Sequence, residues 1–282
     1  MEKAIKRYFP IFVLPTMIAF TLGFIIPFVE GVYLSFCKFT TVNDAKFIGF
    51  ANYAKVFADE TFVHAFWYTA AFTVVSVILI NVLAFAVALL LTKGIKGTNV
   101  FRTVFFMPNL IGGIVLGYIW QLLLNGILMK FSRTLTYSST FGFWGLVILM
   151  CWQQIGYMMI IYIAGIQNIP GELIEAAEID GATKRQVLKS VTIPMVMPSI
   201  TVCTFLTLTN SFKLFDQNLA LTGGDPNHMT EMMALNIYQT FYARAGAQWK
   251  GLGQSKAVLF CLLVIVISMI QLKATRSKEV QQ

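Results

Sequence analysis

Six long apolar runs alternate with shorter polar stretches along the chain, and the alternation predicts six membrane-crossing helices. A spanning helix needs about 20 mostly apolar residues to cross the hydrocarbon layer. The runs fall at residues 9–29, 63–91, 103–124, 141–166, 194–212 and 257–272. Pro10, Pro15 and Pro27 sit near the ends and in the first half of the first run. The second run is long enough to tilt or protrude. The last has only 16 residues, but Lys256 and Lys273 flank it. Their long side chains are expected to snorkel to the two interfaces.

The longest charge-dense stretch between apolar runs is ELIEAAEIDGATKRQVLKSVTIPMVMPSI, from Glu172 to Ile200. It reads as two short helices joined at a glycine corner and leading into a membrane helix. Asn168 is placed to cap the first helix, with Pro170 at its first position and Glu172 in its first turn, where an acid suits the helix dipole. Gly181 suits the left-handed position that follows. Thr183 and Gln186 have capping-box spacing for the second helix. Pro194 and Pro198 mark where the chain changes direction or re-enters lipid.

Composition agrees with a membrane protein. Of 282 residues, 57% are hydrophobic and 12% charged, against roughly a quarter charged in soluble domains. The mean hydropathy is +0.71. The net charge of +8 comes from basic residues scattered around apolar segments, which fits loops and anionic headgroups and gives no reason to expect nucleic acid. Lys3, Lys6 and Arg7 before the first run imitate a signal peptide, but that run is too long and no small-residue cleavage site follows, so it is read as a retained helix. Cys37, Cys151, Cys203 and Cys261 lack metal-ligand spacing and read as packing residues. His64 and His228 are far apart with no ligand pattern, so neither a metal nor a cofactor is expected.

Six crossings put both termini on one side. That side holds the N-terminal tail, residues 92–102, the charged hairpin and the C-terminal tail. It carries twelve of the 21 lysines and arginines over the shorter total loop length, which places it in the cytoplasm. Residues 31–62, 125–140 and 214–256 are then outside. The last of these holds the turn signal Gly223-Gly224-Asp225-Pro226 and the aromatics Tyr238, Phe241, Tyr242 and Trp249. No linker or repeat divides the chain. It reads as one membrane domain over 1–282, with a core at 63–275 and an additional N-terminal helix at 9–29.

Glu175-Ala176-Ala177, then Gly181, then Val191-Thr192-Ile193-Pro194 at fixed offsets resembles the EAA loop of importer-type ABC transporter permeases. Val191 and Ile193 replace the usual Ile and Leu. Further stretches extend the resemblance over nearly the whole chain: FIGFANYAKVFADETF, FRTVFFMPNLIGGIVLGYIW and LTGGDP look like the maltose- and glycerol-phosphate-type, carbohydrate-uptake branch. Asp225 stands where glycine is common in that loop. The resemblance implies an all-α, type I ABC importer permease fold of six transmembrane helices with a cytoplasmic coupling-helix hairpin between helices 4 and 5, in the cytoplasmic membrane of a prokaryote. It also implies three partners: an ABC ATPase dimer, a second and different permease, and an extracytoplasmic sugar-binding protein.

The chain has no G-x-x-x-x-G-K-[ST] phosphate loop, since Gly94–Thr98 has the wrong spacing. ATP hydrolysis is therefore expected from a partner. The hairpin must dock on that partner. Leu173 and Ile174 would supply apolar anchors, Ala176 and Ala177 close backbone approach, Glu175 a charge partner, and Gly181 the corner. A sugar also needs polar groups in mid-membrane. Gln153, Gln154 and Tyr157 on the fourth helix, with Trp152 nearby, are candidates. So are Thr204, Thr207, Asn210 and Ser211 on the fifth. Hydrogen bonding between helices is the bland alternative for each. Lys213 and Asp216 are placed to pair with each other or to gate the cavity, the local ion pair being the safer reading, and Asn81 reads as a packing amide. A same-superfamily permease for another solute is the main rival. An ion-coupled secondary transporter would want intramembrane carboxylates or an inverted repeat, and a membrane enzyme would want a catalytic constellation.

Overall fold

The computed structural model describes residues 2–276, and the C-terminal tail from Ser277, counted above among the cytoplasmic segments, lies outside them. In chain order the helices are α1 (Glu2–Phe20), α2 (Ile26–Ser35), α3 (Ala51–Phe57), α4 (Glu60–Leu91), α5 (Thr98–Phe106), α6 (Gly113–Leu128) and α7 (Ser139–Gln167). There follow α8 (Gly171–Ile179), α9 (Lys184–Val187), α10 (Ile193–Met195), α11 (Met197–Phe212), α12 (Asp216–Leu221), α13 (Met233–Tyr238) and α14 (Ala247–Arg276). One short hairpin pairs β1 (Cys37–Lys38) with β2 (Lys46–Phe47). Among the described residues five helices are long and apolar enough to span a membrane, or six if the bent pair at Val196 counts as one. The chain divides into two compact units. One comprises the residues up to Glu60 with Ile237–Leu262, and the other Thr61–Asn236 with the residues from Leu263.

In the first unit α1 and α2 are joined by a π-turn, Thr21–Ile25. Pro27 explains it. It has no N–H for the Gly23 carbonyl and its ring crowds that group, so the ladder widens and the Ile26 N–H reaches back to the Thr21 carbonyl. Between the two strands Thr41 and Asp44 form a capping box. The N–H groups of Thr41 and Thr40 donate to the Asp44 carboxylate and hold it below its ordinary range. The buried Asn52 donates to the carbonyls of Ser35 and Cys37, both at 2.9 Å, and ties α3 to the end of α2.

The last span departs from expectation. It begins at Ala247, so Lys256 lies well inside the helix and is fully buried. Its Nζ stands 2.7 Å from Asp59 Oδ2 and donates to Thr240 Oγ1 at 2.9 Å. Lys256 does not snorkel because a carboxylate and a hydroxyl of the same unit meet it inside. The polar run 247–256 is helical because protein covers it: Ser255 Oγ donates to the Ser35 carbonyl at 2.8 Å, and Gly251, Gly253 and Ser255 are buried.

The second unit packs around α7, which Ser138 caps. Its core includes Phe72, Ile80, Leu146, Leu149, Met150, Met158 and Tyr162. The third expected span is broken: α5 ends at Phe106, a 3-10 turn runs Met107–Leu110, and the membrane helix α6 starts at Gly113. Pro108 cannot donate, and Ile111 and Gly112 are extended, at ψ 130° and 138°. The chain bends by 68° between α10 and α11, at Val196. Pro198 has no N–H for the Pro194 carbonyl, so the expected change of direction falls between the two prolines. α5 crosses α7 at Gly156, where an added methyl would overlap the Phe105 carbonyl. Gly156→Ala is therefore expected to lose about 1–3 kcal/mol of stability as an overpacked contact with unyielding backbone. The check is thermal unfolding of the purified protein, and an unchanged midpoint would mean α5 moves freely there.

Candidate functional site

Two places in the second unit answer to the sequence candidates. The first is a cavity of about 260 Å³ lined by Met150 and Gln154 of α7, Asn210 of α11, and the connection Lys213 to Gln217. Gln154 is more than nine-tenths buried, yet its Oε1 has no hydrogen-bond partner. Among the described residues the side chains of Asn210, Lys213 and Asp216 also make no hydrogen bond or ion pair, and the pair expected between Lys213 and Asp216 is not formed. The three residues from Lys213 to Phe215 turn the chain from α11 into α12, and α12 packs along α6. That packing carries Asp216 away from its neighbour in sequence.

The other candidates go elsewhere. Gln153 accepts from Gln217 Nε2 at 2.8 Å and donates to the Ile111 carbonyl at 3.3 Å, so it ties the broken start of α6 to α12. Thr207 is buried, donates to the Cys203 carbonyl at 2.7 Å and accepts from Asn81 Nδ2 at 3.3 Å. Asn81 also accepts from Tyr162 at 2.7 Å and is a packing amide, as expected. Tyr157 leans on Phe106, and Trp152 meets Trp120 edge to face. Ser211 is fully buried, with an unpartnered hydroxyl. Thr204 is half-buried and does not line the cavity.

Sequence reasoning missed Gln217 and Asn218. Gln217 lines the cavity. Asn218 pins the following loop by donating to the Thr230 carbonyl at 2.8 Å and accepting from the Met232 N–H at 3.0 Å. The available signal was the polar density of NSFKLFDQN, which is excessive for a helix end that merely leaves the membrane. The loop it holds spans the Gly223–Pro226 turn. His64 Nε2 lies 3.1 Å from the Met229 carbonyl in the same loop, and His228 pairs with Glu231 at 3.1 Å.

The second place is the hairpin. Asn168 does not cap α8. Its N–H donates to the Ala164 carbonyl and ends α7, which leaves Pro170 at the N-cap position with no side-chain cap. The far end is as expected. Gly181 has φ +80°, and a full Schellman pair closes α8: Ala182 N–H to the Ala177 carbonyl at 2.9 Å and Gly181 N–H to that of Glu178 at 3.0 Å. Thr183 and Gln186 form the predicted capping box. Glu175, Ala176 and Leu173 are exposed, and Ala177 is half-buried. Ile174 packs against the unit's own core, while Ile179, which the sequence reading passed over, is 85% exposed.

Residues 93–275, which hold both places, match the family model described as binding-protein-dependent transport system inner membrane component. The chain belongs to that family. Over 280 residues this inner-membrane component is 43% identical to a protein of Thermoanaerobacterium thermosulfurigenes named "Probable starch degradation products transport system permease protein AmyD", covering 96% of this chain and 94% of that one. It is 28% identical over 275 residues to the "Trehalose/maltose transport system permease protein MalF" of Thermococcus litoralis, covering 94% and 92%. In fold it resembles a chain of a bacterial ABC transporter involved in the import of the acidic polysaccharide alginate, with a TM-score of 0.81, 20% identity and 98% of each chain covered. The expected all-α permease fold is thus the observed one.

Proposed function

We propose that this chain is the membrane-spanning permease subunit of an ATP-driven, binding-protein-dependent sugar importer. The observation that supports the reading is the cavity: four polar side chains with unspent hydrogen-bonding capacity converge on it between α7, α11 and α12. A buried amide oxygen without a partner is unfavourable by about 1–3 kcal/mol, and a sugar hydroxyl would satisfy it. The relatives' names add the solute class, since the proteins similar over the full length carry names for starch products, trehalose and maltose.

The rest of the assembly follows from what the chain lacks and exposes. It has no phosphate loop, so hydrolysis belongs to ATPase subunits. The exposed face of α8, with Leu173, Glu175, Ala176 and Ile179, is the docking element, and Gly181 sets its angle. Ile174 fastens it to the bundle, so nucleotide-driven closure would be passed to α7 and α11. The excess of basic residues supports a cytoplasmic hairpin and cytoplasmic termini, and the chain is proposed to be one membrane domain with a core at 63–275. A second permease completes the pathway, and an extracytoplasmic binding protein delivers the sugar.

The test is copurification from gently solubilised membranes, followed by uptake of sugar into proteoliposomes holding the assembly. A copurifying ATPase with a Walker A sequence and a second permease is the expected result. A lone, monodisperse chain that transports without ATP would overturn the reading. Gln154→Leu is expected to cut uptake about tenfold or more, by removing the acceptor that a sugar hydroxyl would use, with assembly and basal ATP hydrolysis unchanged.

A further inference from the structure

The cavity also carries information on which sugars it takes, given that the importer reading holds. Its unsatisfied groups include donors, on Lys213 and Asn210, and two acceptors that bear on the choice of sugar. Gln154 presents a buried Oε1 with no donor, and Asp216 presents a carboxylate with none among the described residues. A neutral sugar unit offers hydroxyl donors to both, and a hydroxyl on a carboxylate makes a charge-assisted bond. A uronic acid replaces one hydroxymethyl donor with a group that only accepts.

The two formal charges at the cavity do not cancel for an incoming anion. Lys213 is exposed, so solvent and salt screen its attraction, and its long stem lets the ammonium move away. Asp216 is half-buried and fixed. An added methyl on Gly113 at the start of α6 would lie 2.7 Å from Asp216 Cβ and 3.1 Å from its Oδ2, so the carboxylate is held against that helix by backbone on a short stem. The neighbouring Gln217 is bound to Gln153, which locks the first turn of α12. An acidic sugar therefore meets a negative charge that is less mobile and less screened than the positive one beside it.

We propose that the cavity selects neutral over acidic sugar units, with Asp216 as the specificity-determining residue. Repulsion between two carboxylates a few ångströms apart at a partly buried site, reduced by Lys213, corresponds to discrimination on the order of tenfold.

The experiment uses the whole assembly in nanodiscs, this chain with its partner permease and ATPase subunits, without the binding protein so that upstream selection is removed. Equilibrium binding is compared for maltotriose and for the same trisaccharide with its terminal C6 oxidised to a carboxylate. The wild-type assembly is expected to bind the oxidised sugar about tenfold more weakly. In Asp216→Asn, which is nearly isosteric, the ratio should approach one, chiefly because the acidic sugar binds better. Asp216→Ser provides a second neutral variant should the first fail to assemble, and Asp216→Glu should keep the discrimination.

A ratio unchanged in the neutral variants, with maltotriose binding lost in Gln154→Leu, would overturn the role of Asp216 and leave the cavity as the sugar site. Maltotriose binding unaffected by any of these variants would overturn the cavity itself. A wild-type preference for the acidic sugar would show that Lys213 outweighs Asp216. Binding of neither sugar to the wild-type assembly at millimolar concentration would overturn the sugar reading on which the proposal rests.

Discussion

Lys256→Met is expected to destabilise the first unit by about 3–5 kcal/mol, as breaking a buried ion pair from one side does. The lysine is fully buried and the Asp59 side chain is 15% exposed, and the two stand 2.7 Å apart. Methionine fills much the same volume, so the loss is electrostatic: the Asp59 carboxylate stays desolvated without its ammonium partner. Asp59→Asn should be damaging for the mirrored reason. The double variant should lose clearly less than the two single losses added together, because neither charge is then stranded. Cys37 gives a readout, being fully buried in the same unit. With the other three cysteines replaced by alanine, the rate at which Cys37 reacts with a thiol reagent reports opening of this unit. The expected result is a steep rise in both single variants and a partial return in the double one. Labelling rates that match the parent in Lys256→Met would show that the pair contributes no more than an exposed one.

The same lysine shows where the sequence stops being legible. Hydropathy sees a charge at position 256 and ends the span there, because in lipid a lone charge must reach an interface. Only the fold brings Asp59 to it, from nearly two hundred residues away. The third span failed for a local reason: FFMPNLIGGIV is apolar throughout, so composition ran a helix across Pro108 and Gly112 that the backbone cannot make. What was legible rested on short-range rules. Gly181 at a left-handed φ, the Thr183–Gln186 box and the bend between Pro194 and Pro198 each depend on a few neighbouring residues. At the cavity, polarity picked out Gln154 and Asn210. It could not separate them from Gln153 and Thr207, which differ only in having found partners on other helices.

Gly181→Val is expected to abolish most sugar uptake while the chain still inserts and assembles. Gly181 sits at φ +80° with no atom within 4 Å of where a side chain would start, so the obstacle is the backbone alone. A β-branched residue is strongly disfavoured in that region, at roughly 1–3 kcal/mol. The cheapest relief is to abandon the left-handed turn, which breaks both Schellman bonds from Gly181 and Ala182 and swings α8 relative to α9. The hairpin is exposed and small, so the bundle itself should survive. The docking geometry would not, and coupling depends on it. Uptake into proteoliposomes should therefore fall more than tenfold, as about 2 kcal/mol of lost docking implies, while ATP hydrolysis continues without stimulation by sugar. Gly181→Asn, which tolerates a positive φ, should retain much of the uptake. These two variants separate conformation from bulk: Asn and Val are close in size and differ in the backbone they accept. Equal and normal uptake in both would remove the corner from the coupling path. Equal loss in both would mean that side-chain bulk at the partner's surface, and not the turn, is what Gly181 avoids.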